Sequence, residues 1–190
     1  MKRLRPALLL TALLAGAAGL WLGRRIEPAP GPPATATRPA VRPAGIGDPL
    51  PAVVLPDLSG TPVDLRTFRG RPLLINVWAS WCAPCVEEMP ELARFAALQG
   101  EHGIQVLGLA LDTPEGVRGF LARVPVDYPI LLERPGPDDA SVRLGNTRGL
   151  LPYSVLVDAQ GRIVRHKLGP FAPGELATWA AHPLKGDGGN

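Results

Sequence analysis

The 190-residue chain holds only two cysteines and three histidines. Two cysteines exclude the multi-bridge framework that stands in for a core in small secreted domains. His102, His166 and His182 are scattered, so with the cysteines they give no four-ligand zinc spacing. Aromatic residues are 5% of the chain against 46% hydrophobic, which requires a mostly aliphatic core. No acidic residue occurs before position 26, whereas Lys2, Arg3, Arg5, Arg24 and Arg25 do. The formal charge of +3 therefore belongs to the N-terminal segment, and the remainder sets 15 basic residues against all 17 acidic ones. No Lys/Arg stripe with interleaved aromatics appears, so nucleic acid is excluded as a partner. Nor is any internal repeat visible.

What is present begins with an uncharged apolar run from Pro6 to Gly23, bounded by basic residues. As a helix it would rise roughly 27 Å, enough to span a bilayer. Residues 1–25 are thus expected to be a signal anchor, with the N-terminus cytoplasmic by its basic cluster. Ala15-Gly16-Ala17 offers a cleavage site for a secreted alternative. No cysteine follows the run, which excludes a lipoprotein anchor. Residues 26–46 are Pro/Ala-rich and read as an extended tether. A folded domain is expected over 47–182 and a disordered tail over 183–190. Arg outnumbers Lys 17 to 3, pointing to a GC-rich bacterial genome. The expected location is the bacterial inner membrane, with the domain on the periplasmic side.

Within the domain, apolar runs flank a Ser59-Gly60 turn signal and predict a hairpin. Arg71–Trp78 is a continuous apolar run, the pattern of a strand buried on both faces. Pro84 opens a helix whose stripe is Val86, Met89, Ala93 and Ala96, widened by Leu92 and Phe95, with Pro90 as a kink. Residues 103–112 predict a second buried strand. Asp112 or Thr113 caps a helix that begins at Pro114 and carries Val117, Phe120, Leu121 and Val124. A short strand, a short helix, a hairpin over 153–169 and a final helix over 173–182 follow. The order predicts an α/β sandwich on a mixed sheet, with a parallel β-α-β unit from Leu73 to Asp112.

The two cysteines form one C-x-x-C pair, Cys82-Ala83-Pro84-Cys85. Cys82 follows a buried strand and precedes a helix start, where free N–H groups and the dipole favour a thiolate. Pro84 has no N–H to lose there. Cys85 lies nearly one turn on and leads into the core stripe. Cys82 is therefore the expected nucleophile and Cys85 the resolving thiol of disulfide exchange. A purely structural bridge over so short a loop would add little stability. Trp81 would supply an apolar contact surface.

Taken together, "WCAPC" after a hydrophobic strand, Pro90 in the helix and Leu151-Pro152 before "YSVLVD" resemble the thioredoxin fold. More narrowly they resemble the membrane-anchored TlpA/ResA-like thiol–disulfide oxidoreductases of the redoxin group. The resemblance implies a three-layer α/β/α sandwich with an N-terminal hairpin and an inserted strand and helix. It implies that Pro152 is a cis-proline against the cysteines, exposing the Leu151 backbone to a client strand. Asn76 stands where ordinary thioredoxins hold a buried acid, and Glu88 matches the acid of the TlpA/ResA-like group. Near buried thiols Glu88 is expected to have a raised pKa and to shuttle protons.

The resemblance further implies disulfide-bearing clients such as apocytochrome c or copper-site proteins, a membrane electron donor of thiol-reductase type, and no cofactor or metal. Tyr153-Ser154 after Pro152 departs from the cytochrome-maturation branch, which carries an acid there. Two rival readings are a peroxiredoxin-like peroxidase, which lacks its threonine ahead of Cys82, and a copper-delivery protein. The latter would need His166, which the pattern places on an exposed strand.

Overall fold

The computed structural model describes residues 42–181. The segment expected to be an anchor, 1–25, and the tail, 183–190, lie outside the described residues. The expected membrane location is corrected: among the described residues no helix is long and apolar enough to cross a membrane. The longest helix among the described residues has 16 residues and carries Glu87, Glu88, Glu91 and Arg94, whereas a span takes about 20 mostly apolar residues.

Strands β1 (Val54–Pro56) and β2 (Pro62–Asp64) form the antiparallel hairpin. Its turn is closed by Asp57, whose Oδ1 accepts from the N–H groups of Ser59 at 2.8 Å and Thr61 at 2.9 Å. The Ser59 hydroxyl, which donates to the same oxygen at 2.6 Å, and then those backbone bonds hold the Asp57 carboxyl below its ordinary value.

The main sheet runs β5-β4-β3-β6-β7. Strand β3 (Leu73–Trp78) is central and all six of its residues are buried, as its unbroken apolar pattern requires. Strands β4 (Gln105–Leu111) and β5 (Ile130–Glu133) add in parallel, and β6 (Tyr153–Val157) and β7 (Ile163–Leu168) add antiparallel. A parallel pair needs a crossover, and helix α1 (Ala83–Leu98) supplies it between β3 and β4. Helix α2 (Pro114–Leu121) is capped by Thr113, whose Oγ1 accepts from the Gly116 N–H at 3.1 Å. Helices α3 (Ala140–Arg143) and α4 (Glu175–Ala181) complete the set.

Alternation along β3 divides the core in two. Leu74 and Trp78 pack with Met89, Leu92 and Phe95 of α1, Phe120 of α2 and Trp179 of α4. Leu73, Ile75 and Val77 pack on the other face with Leu65, Ala140, Leu144 and the hairpin's Leu55. This is the expected three-layer sandwich. Period-two alternation places Asn76 on the α1 side, the one polar residue of β3.

The α1 stripe differs from the sequence reading. Its buried residues are Cys85, Glu88, Met89, Leu92 and Phe95, while Val86, Ala93 and Ala96 sit at the margin. The larger Leu92 and Phe95 side chains turn the helix toward themselves and carry Glu88 inward. Pro90 lies inside the helix on its exposed face. His166 is half-buried rather than exposed, its ring 5.6 Å from that of Tyr153.

Candidate active site

After Trp78 the chain leaves the sheet and turns into α1. Asp112, at the end of the adjacent parallel strand, fixes this exit: its Oδ2 accepts from the Ser80 N–H at 2.8 Å and the Ser80 hydroxyl at 2.6 Å. Cys82 then occupies the N-cap of α1 with φ −90° and ψ 100°, and its side chain makes no capping bond. Its N–H donates to Ala79 O and its C=O accepts from the Val86 N–H, both at 3.1 Å. Cys82 and Cys85 are joined by a disulfide, S–S 2.06 Å and Cα–Cα 5.3 Å. Cys82 keeps 7% exposure and Cys85 none, so an incoming sulfur reaches Cys82 first. The unpaired N–H groups at the helix start would stabilise a Cys82 thiolate once the bridge is reduced.

One turn beyond Cys85, Glu88 is 5% exposed. Its Oε1 accepts from Asn76 Nδ2 at 2.8 Å and its Oε2 from the Phe171 N–H at 3.0 Å. Burial pushes the carboxyl above its ordinary value; the Phe171 N–H and the Asn76 amide pull it partly back. Asn76 Nδ2 also lies 3.2 Å from Ser154 Oγ, while Asn76 Oδ1 has no partner among the described residues. A half-turn of this amide would replace its donor with an acceptor, so Asn76 is able to serve Glu88 ionised or protonated.

The third element is the turn into β6. The Leu151–Pro152 peptide bond is cis. Tyr153 pairs with Val77, which sets Pro152 beside the end of β3. Leu151 packs against the cluster containing Cys82 and Cys85. No hydrogen bond among the described residues uses its N–H or C=O. Trp81 is 68% exposed and belongs to neither core cluster. Asp112, Ser154 and Phe171 were not legible as site residues. Only for Asp112 does a signal exist, as the residue ending a strand that runs parallel to β3.

The fold, a bridged C-x-x-C at a helix start and an adjacent cis-proline turn define a thioredoxin-like thiol–disulfide oxidoreductase. The Redoxin family profile matches residues 46–181, and the chain belongs to that family. It is 29% identical over 137 residues to the thiol-disulfide oxidoreductase ResA of Bacillus thuringiensis subsp. konkukian, covering 70% of this chain and 76% of that protein. The ResA of Geobacillus kaustophilus is 30% identical over 119 residues, 62% of this chain and 66% of that protein. Among solved structures, a putative thiol:disulfide interchange protein DsbE from Chlorobium tepidum superposes with a TM-score of 0.59 at 26% identity, over 72% of this chain and 94% of that one. A thioredoxin-related protein from Neisseria meningitidis serogroup B superposes with a TM-score of 0.61 at 28% identity, over 68% and 97%.

Proposed function

We propose that the domain over 47–182 reduces disulfides in client proteins, with Cys82 as nucleophile and Cys85 as resolving thiol. The observation that carries the reading is the bridged Cys82–Cys85 pair with its outer sulfur at the N-cap of α1. In the reduced protein the Cys82 thiolate attacks one client sulfur; a mixed disulfide forms and the other client sulfur leaves as a thiolate. Cys85, as thiolate, then attacks Cys82 Sγ, closing the protein's own bridge and releasing the second client sulfur. Two electrons pass to the client, and two protons accompany them once its sulfurs are neutral thiols. Glu88 accepts the proton that Cys85 must lose, a role supported by its burial one turn away. The free backbone edge of Leu151, beside Pro152, takes an extended client segment, and Trp81 offers an apolar contact.

Included in this proposal, as the resemblance drawn from the sequence implies, are clients of the apocytochrome c or copper-site class and a membrane electron donor of thiol-reductase type that restores the reduced pair. The test is exchange with a protein disulfide such as insulin. Cys82→Ser abolishes reduction, and Cys85→Ser accumulates a covalent client adduct visible on a non-reducing gel. Equal loss in both variants with no adduct in the second refutes these roles.

A further inference from the structure

Resting on that reading, we propose that Asn146 is the positioning residue of the client-docking turn, holding Leu150 as a neighbouring strand would so that Leu151 is left to pair with a client. Asn146 follows α3 and is 2% exposed. Its Nδ2 donates to Leu150 O at 3.0 Å, and its Oδ1 accepts from the Leu150 N–H at 3.3 Å. A carboxamide has the donor and acceptor of a peptide group, and this reciprocal pair is the one that two facing strand residues exchange. With Leu150 held by Asn146, the next residue's N–H and C=O, which no hydrogen bond among the described residues uses, are left for a client strand.

The clamp is itself braced. Asn146 Nδ2 lies 3.4 Å from Ser141 Oγ, and the Ser141 hydroxyl donates to Asp139 Oδ1 at 2.7 Å. Asp139 in turn accepts from the N–H groups of Val142 at 3.1 Å and Gly136 at 3.0 Å. The main chain of Asn146 is engaged too, donating to Ser141 O at 2.8 Å and accepting from the Gly149 N–H at 3.0 Å. Asp139, Ser141 and Asn146 are all buried. A loop that merely closed the core would pack apolar side chains here, since buried polar groups are tolerated only when paired. A connected polar network that ends on the backbone of the residue before Leu151 fixes a backbone edge. The partner it fits is an extended polypeptide read through its own main chain, with apolar side chains against Leu150, 44% exposed, and Trp81.

The test uses the full-length protein, pre-reduced, in single-turnover exchange with two disulfides: insulin, and an aromatic bis-nitrobenzoate disulfide that has no peptide backbone. For Asn146→Ala the ratio of the insulin rate constant to the small-disulfide rate constant falls about tenfold, the scale of losing two neutral hydrogen bonds. For the milder Ser141→Ala it falls about threefold, and this variant decides the matter if Asn146→Ala does not fold. Hydrogen exchange at the Leu150 amide accelerates in both. A merely structural role would lower both rates in proportion, so an unchanged ratio overturns the inference while leaving the dithiol reading intact. A wild-type protein inert toward both disulfides overturns the dithiol reading, and this one with it.

Discussion

Glu88 gathers three constraints on one side chain: burial, a donated main-chain N–H and a donated amide. Burial dominates, and the folded-state pKa lies above the ordinary 4.5. The folded protein thus holds this proton more tightly than the unfolded chain. Its contribution to stability is greatest below pH 4.5 and declines as pH rises through the folded value. Glu88→Gln removes that decline. Denaturant titrations of the two proteins should differ in slope by up to about 1.4 kcal/mol per pH unit in the window above 4.5. The same variant should slow release of reduced client by about a hundredfold in single turnover, the usual worth of a positioned base. Glutamine suits the comparison because its amide can donate to Asn76 Oδ1, which has no partner among the described residues.

At the scale of elements, the packing over the neighbouring strands β3, β4 and β5 depends on one small residue. A Cβ at Gly108 would run into Ile130 Cδ1 and lie 3.1 Å from Trp78 Nε1 and 3.3 Å from Tyr128 Cε2. Gly108→Ala should destabilise the protein by about 1–3 kcal/mol through overpacking, seen as a melting temperature lower by about 5 °C or more. Here the sequence could be read only in part. Among the described residues, apolar runs and alternation revealed the β-strands and α-helices, because those patterns are local, but not the 3-10 turn over Leu65–Phe68. The α1 stripe was read in part: Met89, Leu92 and Phe95 are buried as expected, but Val86, Ala93 and Ala96 lie at the margin, because which of several apolar residues faces the sheet is decided by side-chain volume across the interface. Cys82 and Cys85 were legible from their spacing, whereas Glu88 and Pro152 came in with the family resemblance. Asn146, Ser154 and Phe171 were not, since only sheet register and the path of late loops bring them to the site. A glycine inside an aliphatic strand does signal a close approach, but not which side chain makes it.

At the scale of the whole molecule, two cores share β3 and close on residues near the start of the described chain. The Ala44 N–H donates to Arg143 O at 2.9 Å, and Arg42 pairs with Asp48 at 2.9 Å. A protein begun at Arg42 keeps both contacts. It should unfold in one cooperative transition and reduce insulin within about twofold of the full chain, followed by circular dichroism and turbidity. The late loop after β7 binds this whole together, for Phe171 gives its N–H to Glu88 while its ring stands edge-on to Trp179 at 5.2 Å. An indole thus stands one neighbour away from the Glu88 carboxyl. Under the role proposed for Glu88, the emission of Trp179 should shift when the Cys82–Cys85 bridge is opened, and that shift should be lost in Glu88→Gln.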